Sequence, residues 1–196
     1  INYVGAPLAW YGFKTIVPAD PNQTDKVIRY VAKEYGNYVV AVGRSKLEPI
    51  KKEDGTPFFD EKYVFEYGKM DVLRDGCDGV IYAMGSVIPN VLKAHEILKV
   101  KGINVAVVNV SCPHNLDVNI LKKYSNFVVT AEDHNVYNGL GSLIAQKFIE
   151  IGLLPAQFMK LGLEDFPVSG DSKLLFEIYN LSGERIAQAI EEKMTL

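Results

Sequence analysis

Apolar runs and the polar positions between them divide the chain into alternating strand and helix patterns. Residues 13–17 (Phe13-Lys14-Thr15-Ile16-Val17) predict a short strand ended by Pro18. Asp20-Pro21 then opens a helix, because a carboxylate can accept the unpaired N–H groups of a first turn and proline suits the first helical position. Val27 and Val31, with Ile28 and Tyr30, recur at helical spacing, and Gly36 ends the segment. Tyr38-Val39-Val40-Ala41-Val42 is a continuous apolar run ending at Gly43-Arg44, the pattern of a strand covered on both faces.

The pattern changes over residues 45–62. Lys46, Lys51, Lys52, Glu53, Asp54 and the Asp54-Gly55 turn pair before Pro57 predict an exposed linker. The alternation resumes near residue 63. Short strands are expected at 64–67 and 70–73, followed by a turn at Asp75-Gly76, and a buried strand is expected at 80–84, stopping at Gly85-Ser86. A helix over 88–101 ends at Gly102, and a strand follows over 104–110. Asp117 is placed to cap a short helix over 118–124. A strand at 127–130, a glycine-bearing loop, a helix over about 140–151 and a strand at 158–161 come next. Helices over 172–179 and 183–193 close the chain. Strands alternating with helices of this length predict an α/β fold: a mostly parallel sheet with helices on both faces. Ahead of it lies a partial α/β unit. The expected divisions are residues 1–46, a linker at 47–62, and a domain at 63–196.

Composition narrows the function more by exclusion than by assignment. The 196 residues are 48% hydrophobic with a formal net charge of −3, which suits a globular chain with one sizeable core. No run of basic residues offers the phosphate neutralisation that nucleic-acid binding needs. No apolar stretch approaches the ~18 residues of a membrane span, and no signal peptide is readable. Neither nucleic acid nor membrane is therefore expected as a partner, and a cytoplasmic location is. Cys77 and Cys112 lack a close pairing motif and are expected to be buried thiols, with a disulfide between them as the alternative.

Several segments, in order, resemble the transketolase family. Val17-Pro18-Ala19-Asp20-Pro21-Asn22-Gln23-Thr24 is similar to a strand-to-helix junction late in the family's pyrimidine-binding domain, and Val42-Gly43-Arg44-Ser45-Lys46 to the strand end that closes it. Tyr67-Gly68-Lys69, Leu73-Arg74-Asp75-Gly76 and Met84-Gly85-Ser86 resemble the opening of the C-terminal domain. Val129-Thr130-Ala131-Glu132-Asp133-His134 with Asn138-Gly139-Leu140-Gly141 resembles its hallmark stretch, one glycine being replaced by asparagine. Gly162-Leu163-Glu164-Asp165-Phe166 and Ser169-Gly170 resemble its closing segment. Deoxyxylulose-phosphate synthases and the β subunits of 2-oxoacid dehydrogenases share this C-terminal domain. The Phe166…Ser169-Gly170 ending favours transketolase.

The resemblance implies an enzyme that moves two-carbon ketol units between sugar phosphates, with thiamine diphosphate and magnesium as cofactors. It also implies that residues 1–46 are the end of a pyrimidine-binding domain and 63–196 a C-terminal domain. The family's Gly-Asp-Gly…Asn diphosphate motif does not occur in this sequence, and its activating glutamate would lie upstream of Ile1. This chain alone is therefore expected to bind no cofactor or metal, to supply no catalytic residue, and to act as a homodimer or with a polypeptide bearing the diphosphate-binding domain. Residues 1–12 do not match the loop expected there.

Arg44 is the one residue the resemblance assigns to substrate, as a grip for the sugar phosphate. The chemistry agrees: ligands bind at the carboxyl ends of parallel strands, and a guanidinium makes bidentate bonds to phosphate oxygens. Pairing with a carboxylate at a domain edge is the structural alternative. His134, beside Glu132 and Asp133, could serve as a general base. The reading favours a loop histidine that bonds locally and helps set a domain or dimer contact. Asn138-Gly139-Leu140-Gly141 could cradle an anion, but close helix–sheet packing is preferred. His95 and His114 stand alone, and Cys112 with His114 would need two further ligands to hold a metal. Leu8, Trp10, Tyr11 and Phe13 form an apolar cluster read as a partner interface, with packing back onto the C-terminal domain as the alternative. The rival functional reading is a non-catalytic assembly or regulatory module, or part of one of the related thiamine enzymes.

Overall fold

A computed structural model describes residues 2–195. A short helix α1 (Gly5–Leu8) leads into a parallel pair, β1 (Phe13–Ile16) and β2 (Asn37–Val40), joined through α2 (Pro21–Val31). After an irregular stretch come β3 (Asp71–Arg74), β4 (Gly79–Ala83), α3 (Ile88–Val100), β5 (Val105–Asn109), α4 (Val118–Lys123), β6 (Phe127–Asn135), α5 (Leu140–Glu150), β7 (Gln157–Leu163), α6 (Ser172–Ile178) and α7 (Gly183–Met194). The second sheet has the order β3-β5-β4-β6-β7, with β3 antiparallel to β5 and the other neighbours parallel. This is the expected α/β architecture.

Successive residues of a strand point to opposite faces, and β4 shows what that does here. Ile81 and Ala83 join Val105, Val107 and Val129 beneath α3 and α7, where Val91, Leu98, Ile186 and Ile190 complete the layer. Val80 and Tyr82 turn the other way, toward Leu121 of α4 and Leu140, Ile144 and Phe148 of α5. Both faces are thus dry, which explains why β4 and β5 read as unbroken apolar runs. Each buried aliphatic side chain contributes about 1.5–3 kcal/mol. Four helices start on side-chain caps: Asp20, Asp117, Asp171 and Ser182 each accept from a first-turn backbone N–H of α2, α4, α6 and α7. No helix of the described residues is long and apolar enough to cross a membrane.

The two sheets are joined by buried polar groups. Asp71 Oδ2 accepts from Gln23 Nε2 at 3.2 Å, the Tyr63 hydroxyl at 3.1 Å and Asn109 Nδ2 at 3.3 Å. Gln23 Oε1 accepts from Ala19 N at 2.8 Å and from Asn109 Nδ2 at 3.2 Å. Asp20 caps α2 through Gln23 N at 2.7 Å with one oxygen and holds Ile50 N at 2.7 Å with the other. The Asp20…Gln23 stretch is therefore a fastener as well as a helix start.

Several expectations need correction. β2 is only partly covered and Val42 beyond it is 61% exposed, because among the described residues β1 is its only neighbouring strand. Residues 64–67 form no strand; Phe65 is instead buried with Ile16, Val27 and Cys112 between the sheets. The charged residues of 47–62 lie at the surface, but Ile50 and Phe59 are buried in the core under α3. β6 runs on to Asn135, so His134 lies in a strand rather than a loop. Cys112 is buried as expected, whereas Cys77 is exposed.

Candidate functional site

The carboxyl ends of strands from both sheets converge at one place. Just past the end of β4, Gly85 adopts φ +62°, a conformation that favours glycine. A Cβ there would stand 2.8 Å from Val17 Cγ1, just past the end of β1. The end of β1 is also tied to the end of β5, since Val17 N–H donates to the Ser111 carbonyl at 2.7 Å. Beyond β2, a Cβ on Gly43 would lie 3.6 Å from the Ser86 Cβ, so the Gly43-Arg44 loop is seated on the residue after Gly85. The Ser86 hydroxyl donates to Asp133 Oδ2 near the end of β6, and the Tyr3 hydroxyl donates to Asp133 Oδ1. Four segments read separately in the sequence thus meet at a single junction.

Arg44 stands at its rim, exposed. Arg29 pairs with Asp25 at 2.9 Å, Arg74 with Glu96 at 3.7 Å and Arg185 with Glu177 at 2.8 Å. Among the described residues Arg44 alone of the arginines has no carboxylate partner within ion-pair distance. The alternative of a domain-edge ion pair therefore finds no acid among the described residues. A guanidinium with all its donors free can take two oxygens of one phosphate.

The histidines do something else. His134 is fully buried, and the Tyr3 ring packs edge-on against it at 5.0 Å. Its Nδ1 bonds the Asn135 carbonyl at 3.0 Å, which places the proton there and leaves Nε2 to accept from Val4 N at 3.3 Å. His114 Nε2 donates to the carbonyl of the same Val4 at 3.0 Å. Two imidazoles therefore grip the N–H and the C=O of one residue. Burial lowers the pKa of both. With both ring nitrogens of His134 engaged, no lone pair remains for a substrate, so a local bonding role fits it and a general base does not.

Glu132, whose carboxylate lies 3.8 Å from His134 Nδ1, accepts from Leu140 N at 2.6 Å and Gly141 N at 2.9 Å. These N–H groups begin α5, so the donors that could have cradled an external anion are already taken. A Cβ on Gly139 would collide with the Glu132 carboxylate, which explains a glycine at that point. Burial pushes the Glu132 carboxyl up to about 7, against the pull of the two N–H donors. His95 is also buried, its Nδ1 bonded to the Val105 carbonyl at 2.8 Å. Among the described residues no group of three or more His, Cys, Asp or Glu is placed to hold a metal ion.

The N-terminal apolar cluster divides. Phe13 is half-buried with Trp10 edge-on at 5.1 Å, while Leu8, Trp10 and Tyr11 are exposed. Of the junction residues, the sequence reading singled out Arg44 but assigned nothing to Tyr3, Ser86 or Asp133. Ser86 and Asp133 did fall inside recognised segments. Their pairing spans 47 residues, and that of Tyr3 with Asp133 spans 130, distances over which no local pattern speaks.

Comparison with known proteins places this arrangement. Residues 68–186 match the family described as transketolase, C-terminal domain. A protein of Methanocaldococcus jannaschii named "Putative transketolase C-terminal section" is 37% identical over 180 residues, covering 91% of this chain and 55% of that protein. One of the subunits of an apulose-4-phosphate transketolase of Actinobacillus succinogenes is 28% identical over 191 residues, covering 95% of this chain and 58% of the other. A solved structure described as "Split gene transketolase, inactive beta4 tetramer" superposes with a TM-score of 0.86 at 28% identity, over 100% of this chain and 62% of that one. The chain spans little more than half the length of the curated relatives it matches.

Proposed function

Because this chain belongs to the transketolase family, carrying its C-terminal domain over residues 68–186, we propose that it is the C-terminal section or second subunit of an enzyme that transfers two-carbon ketol units between sugar phosphates. The reading rests on one observation above others: the likeness to a split transketolase extends over the whole chain, including β1, α2 and β2 ahead of the matched domain. Residues 1–46 are then the end of the pyrimidine-binding domain, and 63–196 the C-terminal domain. Thiamine diphosphate and magnesium would be held by a polypeptide bearing the diphosphate-binding domain, and the two would assemble, as a dimer of such units or a higher form.

Within that enzyme Arg44 is the residue of this chain that meets substrate. It lies past the carboxyl end of β2, exposed and unpaired, where a sugar phosphate can be taken by two parallel N–H···O bonds. This positions the substrate by its far end and leaves the bond-making chemistry to groups elsewhere. The glutamate and histidines of β6 hold the chain together rather than react.

The test is reconstitution. Mixed with a polypeptide carrying the Gly-Asp-Gly…Asn domain, the chain should support ketol transfer from a ketose phosphate to an aldose phosphate, with neither part active alone. Pyruvate decarboxylation in place of ketol transfer would move the assignment to a related thiamine enzyme. Tight binding of thiamine diphosphate and Mg²⁺ to this chain alone, measured by calorimetry, would overturn the division of labour.

A further inference from the structure

The junction contains a carboxylate that the proposed activity leaves without a task. Asp133 is half-buried and takes part in no ion pair among the described residues. Its two oxygens are instead occupied by hydroxyls from opposite ends of the fold: Tyr3 from the N-terminal segment and Ser86 from the turn after β4. A charged acceptor makes hydrogen bonds roughly twice as strong as a neutral one, so Asp133 is a firm tie between three segments. The loop carrying Arg44 passes beside one of the tied residues, with room for no more than a methyl group between Gly43 and the Ser86 Cβ. The far side of the same turn, Gly85, is backed by Val17 at the end of β1.

We infer that Asp133 is a positioning residue for Arg44: by fixing Ser86 it fixes the seat of the Gly43-Arg44 loop and hence the angle at which the guanidinium meets a phosphate. The inference rests on the phosphate-binding role of Arg44 given above. A guanidinium on a loose loop still attracts a dianion, but bidentate geometry is lost and the bound sugar is held less exactly in place. The effect belongs to phosphorylated substrates alone, because a ketose without a phosphate does not use Arg44.

The experiment measures kcat and KM of the reconstituted enzyme with a phosphorylated and a non-phosphorylated ketose donor, for wild type, Arg44→Gln, Asp133→Asn and the double variant. Arg44→Gln is expected to raise KM for the phosphorylated donor by roughly 30-fold or more, the loss of a charge-assisted phosphate contact, with the other donor unchanged. Asp133→Asn is expected to raise the same KM by about 3- to 10-fold with kcat within about twofold, and the double variant to be no worse than Arg44→Gln, since the two residues act as one unit. If Arg44→Gln shows the phosphate-dependent loss while Asp133→Asn has none, or adds to it fully, positioning is wrong and the Arg44 assignment stands. If Arg44→Gln affects both donors alike or neither, the Arg44 assignment falls and takes this inference with it. Nuclear magnetic resonance on the chain alone supplies an independent check. Asp133→Asn should shift the amide signals of Gly43, Arg44 and Ser45, and changes that stop at Ser86 overturn the inference whatever the kinetics give.

Discussion

Two strands with nearly the same sequence pattern have different fates in this molecule. β4 and the residue after it read Val80-Ile81-Tyr82-Ala83-Met84, and all five are buried to within 1%. β2 and the residues after it read Tyr38-Val39-Val40-Ala41-Val42, yet Tyr38 to Ala41 are only half-buried and Val42 is exposed. Both runs are apolar, both are bounded by glycine, and both lie in parallel pairing. What separates them is company: β4 sits between β5 and β6 with helices on both faces, whereas β2 has one neighbouring strand and one helix. A run of apolar residues specifies a strand that can be covered on both sides. It does not supply the cover.

The sharpest way to break this comparison is to hollow out both strands. Ile81→Ala removes a fully buried side chain from the layer under α3 and α7 and should cost about 2–5 kcal/mol. Val40→Ala removes a half-buried one and should cost under about 1 kcal/mol by area. Urea denaturation of the isolated chain followed by far-ultraviolet dichroism reads both. Equal losses would mean that β2 is as well packed as β4.

Acid–base behaviour should follow the larger sheet in large part, because its strand β6 carries the buried Glu132 and His134. Glu132 has its carboxyl raised to about 7 in the folded chain from an ordinary value of 4.5. Between those values the native state holds a proton that the unfolded state has lost, so stability falls as pH rises from about 4.5 through 7. The span corresponds to roughly 3 kcal/mol. His134 and His114 act in the other direction: their folded pKa values lie below the ordinary 6.5. Their contribution is fully present above about 6.5 and declines as pH falls below it, where the unfolded chain takes protons that the native clamp on Val4 refuses. Glu132→Gln should erase the high-pH decline and leave the acid-side loss from the histidines, measured as urea midpoints between pH 4.5 and 8. An unchanged profile would remove Glu132 from the account.

The sequence made the larger sheet legible, and for a physical reason. Each of its elements declares itself locally: Asp117 before α4 and Gly102 after α3 are caps and stops whose effect is confined to one turn. The cover on β2 was not legible, since it depends on what packs over the strand rather than on the strand. Nor was the end of β6, where Glu132, Asp133 and His134 look like a polar loop but are held in the strand by Leu140 and Gly141, Ser86 and Tyr3, and Val4. Arg44 could be singled out as a candidate because the segment that resembles the family there is contiguous. Tyr3, Ser86 and Asp133 form a site only in three dimensions.

A smaller change tests how far the two regions behave as one. Gln23 is fully buried where they meet and bonds Ala19, Asn109, Tyr63 and Asp71. Gln23→Ala leaves several of these groups short of a partner, at about 1–3 kcal/mol. The loss should appear as faster hydrogen exchange in β1, α2 and β2, with β4 and β5 keeping their protection. Uniformly faster exchange would mean that the small unit does not open by itself.

The smallest expected effect carries the comparison furthest. Val42→Ser alters a side chain that is 61% exposed, and in the isolated chain it should change stability by no more than about 0.5 kcal/mol. If the apolar run of β2 is meant to be covered, the same change must become expensive once the cover arrives, because burying a valine contributes about 1.5–3 kcal/mol. The affinity of the chain for the diphosphate-binding polypeptide, measured for wild type and Val42→Ser, separates the two cases. A tenfold or greater loss, at about 1.4 kcal/mol per decade, would make the unfinished strand a surface completed by assembly. An affinity unchanged by the substitution would mean that Val42 stays in water, and that the likeness of β2 to β4 reflects strand propensity alone.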